Sequence, residues 1–277
     1  MLAGCDFEIG DFNNERYQKD FRYSYPMKPG ATFSLENMNG SVDIAGWDRE
    51  EVEITGVQYA RTESLRDAIR IDITRSDRMA SVRTVAPYDN HGGAGARYVV
   101  RVPRKVTLDR VISSNGKVHI SDIDGPVRMK TTNGSMQISN VLGSVDAQSS
   151  NGSIEAAQVG GAAHLHTTNS HINAEAVKGT VEATSTNGSI SLTMSEGVGG
   201  EVRASSTNSS ITVKLPATAA AHLRASTSNS NITSAFDVGS GGREERRHLD
   251  GAINNAGSGS PLVDLTTTNG SIRIEKL

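Results

Sequence analysis

Apolar and polar residues alternate along most of this chain, and in its second half the alternation is arranged around a recurring asparagine. The residues six, four and two positions before each asparagine are apolar or small, as in Val127, Met129 and Thr131 before Asn133. After the asparagine the alternation resumes, as in Met136 and Ile138. A period of two residues predicts strands with one buried face. Each unit is therefore predicted as two short strands that meet at an Asn-Gly or Asn-Ser corner.

The units recur with fixed spacing, first 18 and later 21 residues. An earlier copy at Asn39 stands apart from this series. Such periodicity is typical of repeat architectures. The predicted repeat corners are Asn115, Asn133, Asn151, Asn169, Asn187, Asn208, Asn229 and Asn269.

Two topologies fit this pattern. Asn-Gly between alternating strands favours hairpins with type I′ turns, which would give an antiparallel meander. Three corners, however, have Ser after Asn (residues 169–170, 208–209 and 229–230). A solenoid corner would need positive φ only at Asn, which tolerates it. We therefore favour an all-β fold, a single-stranded parallel β-solenoid with coils of 18 to 21 residues, whose equivalent residues stack about 4.8 Å apart.

The pattern divides the chain into three parts. Residues 1–20 are predicted as a lipobox and flexible tether, and residues 21–104 as an N-terminal β-rich capping region whose strands lack the 18-residue period. A short helix is predicted over residues 64–69. Residues 105–277 form the repeat array, with an exposed loop predicted near 234–260 because that segment is rich in charge, Gly and Ser.

Aromatic residues make up only 4% of the 277 residues, and all but Phe236 precede residue 100. We interpret this as two compositions: an aromatic-bearing cap, and an array whose narrow interior has no room for rings. The formal net charge of -3 disfavours nucleic acid as a partner. Apolar runs are too short for a spanning helix, and one cysteine excludes internal disulfides.

That cysteine, Cys5, ends the sequence Leu2-Ala3-Gly4-Cys5, which matches a bacterial lipobox. The basic and apolar stretches that normally precede a lipobox are not in this sequence. A chance cysteine is the alternative. The motif predicts lipid attachment at Cys5, and with it an extracytoplasmic protein held at the membrane of the cell envelope by a lipid anchor.

The Asn-Gly-Ser series at 133–135, 151–153 and 187–189, Val102-Pro103 before the array, Leu215-Pro216 within it and the ending at 267–272 resemble a bacterial family of unknown function whose members carry the label putative adhesin. The resemblance covers roughly residues 33–277. It implies a β-solenoid at the cell envelope without known catalytic residues.

The outward positions of the repeat also form columns. Five residues before each Asn lies a column of largely alternating charge, interpreted as specifying register, with Arg203 over Arg224 as its one unfavourable step. The functional alternative is an acid/base pair such as Asp146 with Glu182, with Glu155 as a further carboxylate, in a carbohydrate-active solenoid enzyme. An exposed charge column is the commoner explanation, and we predict no enzymatic activity and no catalytic residues.

Two further groups resemble metal sites. His164, His166 and His171 cluster around one corner, but no Cys or ordered carboxylate completes a site. Asp122 and Asp124 suggest calcium, but the calcium-binding nonapeptide is absent and a turn is the simpler interpretation. We predict neither metal nor cofactor.

The residue immediately before each Asn forms a column of hydroxyls, widened by Thr184, Ser205, Ser226 and Thr266. The simple interpretation is that Ser and Thr occur here because Thr favours strands and the outward hydroxyls are solvated. The functional interpretation is a platform that binds a glycan or ice. Ice is less favoured, because an ice-binding face should be uniform and this one is interrupted by Arg128, Lys130, Gln148 and His166. The predicted binding face is Thr132, Ser150, Thr168, Thr186, Thr207, Ser228 and Thr268.

The sequence thus predicts a non-enzymatic cell-envelope lipoprotein with a structural or adhesin-like role. Its partners would be the membrane, through the lipid, and a glycan or envelope protein on the solenoid surface.

Overall fold

Successive strands of the array belong alternately to two facing sheets, so the chain winds as a parallel β-solenoid, as the repeat predicts. The computed structural model describes residues 17–87, 93–195, 197–238 and 243–277. The sheet that contains residues 42–47 is called sheet A, and the sheet that contains residues 32–39 is called sheet B. Each coil has one strand in sheet B, an asparagine corner, one strand in sheet A, and a far corner that leads to the next coil. Coils are named below by their corner asparagine.

The N-terminal part combines one coil, two further strands that pair parallel with it, and outer strands that pair antiparallel. Its elements are β1 (Tyr17–Pro26), β2 (Thr32–Asn39), β3 (Val42–Trp47), β4 (Glu51–Ala60), α1 (Glu63–Asp67), β5 (Arg70–Ser76), β6 (Met79–Val85) and β7 (Ala94–Pro103). The helix begins one residue earlier than predicted and ends two residues earlier than predicted. Its N-terminus is capped by the Thr62 hydroxyl, which accepts a hydrogen bond from the Leu65 N–H.

The regular array then alternates strictly between the sheets. Its sheet B strands are β8 (Thr107–Asn115), β10 (Val127–Thr131), β12 (Val145–Ser149), β14 (Ala163–Thr167), β16 (Val181–Ser185) and β18 (Val202–Ser206). Its sheet A strands are β9 (Val118–Ile123), β11 (Met136–Val141), β13 (Ile154–Val159), β15 (Ile172–Val177), β17 (Ile190–Thr193) and β19 (Ile211–Leu215).

The last coils do not follow chain order. The remaining strands are β20 (Ala221–Thr227), β21 (Ile232–Ser234), β22 (Arg243–Glu245), β23 (His248–Ile253), β24 (Leu262–Thr267) and β25 (Ile272–Lys276). Strand β24 lies between β18 and β20, and β25 lies between β19 and β21. The Asn269 coil, the last in the chain, is therefore inserted between the Asn208 and Asn229 coils.

The segment predicted as an exposed loop near 234–260 is in part a strand pair, which corrects that prediction. Strand β23 pairs antiparallel with β20, and β22 pairs with β23. Leu249 and Ile253 are buried. The charged residues between β22 and β23 concealed this short hairpin in the sequence.

Neighbouring coils pair residue for residue, which stacks like side chains into columns. Val145 pairs with Ala163, and Ile154 with Ile172. The apolar positions of the repeat form one continuous buried core that extends into the cap through Phe33. The division at residue 104 remains a prediction, since the core does not break there.

The cap carries the rings that the array lacks. The copy at Asn39 is itself a coil, because β2 pairs with β8 and β3 with β9. Beyond it, β7, β4 and β1 extend sheet A, and β6 and β5 extend sheet B. Tyr98 is buried 5.3 Å from the ring of Phe21, its hydroxyl 2.6 Å from the Thr84 hydroxyl. Burial raises the pKa of Tyr98.

Candidate binding face and asparagine corner

The corner asparagines form a continuous ladder of side-chain hydrogen bonds. In each coil the Nδ2 group donates to the Oδ1 atom of the neighbouring asparagine, over distances of 2.6 to 2.8 Å. From the cap onward, the order of this asparagine ladder is Asn39, Asn115, Asn133, Asn151, Asn169, Asn187, Asn208, Asn269 and Asn229.

The ladder has one direction along the whole solenoid. Asn39, at its start, donates to the carbonyl of Ala94, and Asn229, at its other end, donates to Asn269. A carboxamide is suited to this role because one side carries an acceptor and the other two donors. Stacked amides polarise one another, which strengthens each bond. The corner therefore needs Asn for its hydrogen bonding.

The predicted reason for Asn at this position, a positive φ, is wrong. Among the described residues, the non-glycine residues with positive φ are elsewhere, and four of them lie at the far corner, seven positions after an Asn: Asp122, Asn140, Gln158 and Ala176, with φ between 52° and 61°. There the left-handed residue breaks the strand alternation, so that the next side chain, such as Val141, turns into the core.

A second column, two residues before each Asn, closes the corner from inside. In the array its members are Ser113, Thr131, Ser149, Thr167, Ser185, Ser206, Thr227 and Thr267, all buried. The Ser113 hydroxyl has no hydrogen-bond partner among the described residues. The Ser185 hydroxyl accepts a 2.9 Å bond from the Gly188 N–H and donates over 3.3 Å to the Ser170 carbonyl. Thr167 donates over 3.1 Å to the Gly152 carbonyl. The alternation indicated that these residues point inward, but not that their hydroxyls satisfy the corner backbone.

Glycine follows several corner asparagines because neighbouring coils approach closely there. A Cβ on Gly152 would lie 1.8 Å from the Gly134 carbonyl oxygen, and one on Gly188 would lie 1.6 Å from that of Ser170. Neither glycine has a left-handed φ. The requirement for Gly at these corners is therefore one of space.

The predicted binding face lies on the outside of the same corner. Thr132, Ser150, Thr207, Ser228 and Thr268 are exposed, and Thr168 and Thr186 are partly exposed. Their backbones occupy equivalent positions in successive coils, where each Asn N–H donates to the neighbouring carbonyl of this column, as Asn151 does to Thr132 over 2.8 Å. The outward hydroxyls are thus held at regular intervals beside the asparagine ladder.

The charge column next to this face alternates more completely than the sequence predicted. Insertion of the Asn269 coil puts Asp264 between Arg203 and Arg224, since Asp264 pairs with both. The predicted contact of Arg203 with Arg224 is therefore wrong. Earlier in the column, Arg128 lies 3.0 Å from Asp109 and 3.6 Å from Asp146.

The carboxylates considered for the enzyme alternative are not brought together. Asp146 and Glu182 lie two coils apart, with His164 between them in register. The His164 Nδ1 atom is 3.1 Å from the Glu182 carboxylate. Glu155 belongs to β13 in the other sheet. Asp146 and Glu182 are therefore members of a surface charge column, and Glu155 lies apart from them.

The candidate metal groups have simpler partners. His171 lies 4.0 Å from Glu155, and Asp122 accepts a 2.6 Å hydrogen bond from Asn140. Within the part of the chain that the structure describes, no group of three or more His, Cys, Asp or Glu residues is placed to hold a metal ion. Asp122 lies near the end of β9 with a left-handed φ of 61°, a local irregularity of the strand rather than the predicted turn.

The lipid-attachment prediction concerns Cys5, which lies outside the described residues, as does most of the predicted tether. Over the residues that the structure does describe, none of the helices has the length and apolar character needed to cross a membrane.

Together these features define a parallel β-solenoid with an asparagine ladder, closed at its ends by antiparallel strands. The family model for the Toastrack DUF4097 domain matches residues 32–275, and the chain belongs to that family. A comparison with curated protein sequences gives no match.

Three solved structures are similar to this chain at low sequence identity. An adhesin, described as putative, from Bacteroides fragilis has 14% identity and a TM-score of 0.51, covering 92% of this chain and 97% of its own. A Parabacteroides merdae protein with the same description has 11% identity and a TM-score of 0.39, covering 94% and 96%. A cell adhesion protein, also described as putative, from Clostridium sporogenes has 11% identity and a TM-score of 0.32, covering 94% and 100%. Only the B. fragilis structure among these three has a TM-score above 0.5, and at 14% identity its similarity shows the fold alone.

Proposed function

We propose that this protein is a non-enzymatic, adhesin-like scaffold that presents one face of its solenoid to a glycan or an envelope protein. The observation that carries the proposal is the row of outward hydroxyls beside the asparagine ladder, repeated from coil to coil at about the 4.8 Å strand spacing. A polymer with repeating hydrogen-bonding groups can contact such a face at several coils at once.

Family and fold agree with this function without specifying it. The B. fragilis protein that shares the fold is described as an adhesin, and one fold commonly supports many functions. What favours binding over catalysis is the surface itself: the acids of the charge column are engaged with basic neighbours, as Asp146 is with Arg128 at 3.6 Å. A general acid would need a sheltered site instead.

The proposal is tested by a binding screen of the purified chain against glycans and envelope proteins. In a face variant, Thr132, Thr207 and Thr268 are replaced by Val, which keeps shape and β propensity but removes the hydroxyls. We expect the affinity for any captured ligand to fall about tenfold or more, because each lost hydrogen bond costs about 0.5–1.5 kcal/mol.

The matched control replaces three threonines on the outer side of sheet A, Thr193, Thr212 and Thr233, by Val. Binding should be unchanged in this variant. Equal losses in both variants would contradict a binding face at the asparagine corner. Turnover of a captured glycan that disappears when Asp146, Glu155 and Glu182 are changed to Ala would contradict a non-enzymatic role.

We further propose that the protein is extracytoplasmic and anchored by a lipid on Cys5. The support is the lipobox-like sequence Leu2-Ala3-Gly4-Cys5, together with the adhesin description of a structural neighbour. Mass spectrometry of the protein recovered from cells that express the complete gene is the test. Lipid mass on Cys5 is expected, and an unmodified thiol would eliminate the anchor.

A further inference from the structure

The first array strand of sheet B contains a β-bulge. Val127 of β10 pairs with Leu108 of β8, and Met129 pairs with Val111. Between these two pairs β10 has one residue and β8 has two. Asp109 and Arg110 therefore both lie opposite Arg128. Bulges of this kind redirect side chains and are frequent beside functional sites.

A cavity of about 400 Å³ lies over the bulge. A cavity on sheet A measures about 260 Å³. Ligand sites are typically about 300–1,000 Å³. The cavity over the bulge is lined by Asp109, Arg110, Val111, Ile112, Arg128, Met129, Lys130 and Gln148.

The charged lining of this bulge cavity is mainly basic, with three cations, Arg110, Arg128 and Lys130, against the single acid Asp109. The Arg110 Nε atom is 2.9 Å from Glu36. An arginine has five N–H donors, so one such contact leaves others for a ligand. Lys130 is exposed and has no carboxylate within ion-pair distance among the described residues. The cavity can therefore hold an anionic group.

A strip of the surface that leads away from the cavity contains no acid, and the charge column with Asp146 and Glu182 runs beside it. In eight coils, the six residues from three before to two after the corner Asn include neither Asp nor Glu. This acid-free strip consists of residues 112–117, 130–135, 148–153, 166–171, 184–189, 205–210, 226–231 and 266–271. Its basic residues, Lys117, Lys130, His166 and His171, are all in the half nearer the cap.

We propose that the bulge cavity and the adjoining strip bind an acidic polysaccharide, with a sugar carboxylate in the cavity and further sugars along the strip toward the C-terminal coils. This proposal rests on the proposed function and identifies its ligand class and site. Arg110 and Lys130 supply the positive charge, Arg as a planar fork suited to carboxylates. The strip lets an anionic polymer continue across several coils without meeting like charge, while its hydroxyls and carboxamides bind the sugar hydroxyls.

Nucleic acid is the competing polyanion. Binding of single strands relies on aromatic side chains on which bases stack, and no aromatic residue lines the bulge cavity. Hydroxyl and amide side chains suit the hydroxyls of a sugar polymer better.

The test measures binding of polygalacturonate oligosaccharides to the full chain by titration calorimetry. The same oligosaccharides in methyl-esterified form keep the sugar chain and lose the charge. We expect the charged form to bind at least about tenfold more tightly, and its affinity to fall as salt is raised, since bound counterions are released.

The matched variants are Lys130→Gln and Lys214→Gln. Lys214 is also partly exposed on a strand, but on sheet A, 3.9 Å from Glu275. We expect Lys130→Gln to weaken binding about fivefold to tenfold, as for loss of a charge-assisted hydrogen bond, and Lys214→Gln to leave it unchanged. Neither variant alters a buried residue, so folding is not at risk.

Each contrary result has a distinct meaning. Equal binding of the esterified and charged forms, with loss in the threonine face variant, overturns the acidic ligand while the proposed function stands. Equal effects of the two lysine variants overturn the site. Equal or tighter binding of a single-stranded oligonucleotide overturns the ligand class. If the glycan and envelope-protein screen also captures nothing, the proposed function fails with the inference.

Discussion

The two corners of each coil reverse the chain in physically different ways. At the asparagine corner, side chains of neighbouring coils bond to one another, as Asn151 does to Asn133 over 2.7 Å. At the far corner, individual residues such as Gln158 and Ala176 adopt a left-handed backbone within their own coil. The first corner is held by a continuous ladder of side-chain bonds between coils. The second combines a left-handed residue with backbone bonds to the neighbouring coil, such as that from the Gly160 N–H to the Val141 carbonyl over 2.7 Å.

This difference explains which corner accepts insertions. Consecutive asparagines in the ladder are separated by 18, 21, 40, 61 or 76 residues of chain, yet their side chains remain bonded at 2.6 to 2.8 Å. The extra residues enter after the sheet A strand, as between β17 and β18. An insertion at the asparagine corner would remove a ladder bond on each side, whereas one at the far corner lengthens an exposed connection.

The largest loss of stability at the asparagine corner is expected from removing one of its buried hydroxyls. Replacing Thr167 by Val keeps the shape of a fully buried side chain but removes its hydrogen bond to the Gly152 carbonyl. Because that carbonyl would then be buried without this partner, we expect the free energy of unfolding to fall by about 1–3 kcal/mol. Urea titration followed by circular dichroism measures the change.

The control is Thr266→Val, on the exposed outer side of β24. It makes the same chemical change in contact with water, and should alter the free energy of unfolding by no more than about 0.5 kcal/mol. A loss as small in Thr167→Val would show that the buried hydroxyls do not support the corner.

A smaller effect is expected from the ladder, because its members within the array are exposed. Asn151→Asp can still accept the bond from Asn169 but cannot donate to Asn133, and it places an acceptor against an acceptor. We expect a loss of about 1 kcal/mol in thermal or urea unfolding at neutral pH.

The same change at the end of the ladder tests its continuity. Asn229 has a single ladder partner, Asn269, so Asn229→Asp should cost less than Asn151→Asp. Protonating the new carboxyl group restores a donor, so both losses should shrink as the pH falls below about 4. If the interior and terminal variants were equally stable, the ladder would act as separate bonds rather than as a chain.

The sequence predicts the solenoid well because the information repeats. Period-two alternation identified the inward positions, and the spacing of the asparagines identified the coils. The interior strands match these predictions because every coil applies the same steric limit to its core. Adjacent positions such as Thr131 and Thr132 were correctly assigned to opposite sides.

The parts that could not be predicted depend on relations between distant coils. The order of the last coils depends on the connection between β19 and β20, which skips one coil position, and on the later return of the chain to fill that position with β24 and β25. No local pattern encodes this order. One signal was nevertheless present: chain order puts Arg203 against Arg224, and the observed order puts Asp264 between them. The asparagine ladder was missed because positive φ and amide stacking both favour Asn.

The far corner should respond in the opposite direction to the asparagine corner. Ala176 has a φ of 52°, a conformation that costs a non-glycine residue about 1–2 kcal/mol. Replacing it by Gly removes this strain but increases the entropy of the unfolded chain. We expect a net gain of about 0.5–1 kcal/mol in the free energy of unfolding, measured by urea titration.

Asn140, at the equivalent position with a φ of 52°, is the comparison that separates strain from any general effect of glycine. Asparagine tolerates this conformation, and its Nδ2 group donates a 2.6 Å bond to Asp122. Asn140→Gly therefore relieves little strain and loses a contact, so stability should fall by about 0.5 kcal/mol. A gain in the free energy of unfolding for Ala176→Gly together with a loss for Asn140→Gly would establish backbone strain at the far corner. A loss in both variants would mean that Ala176 is not strained.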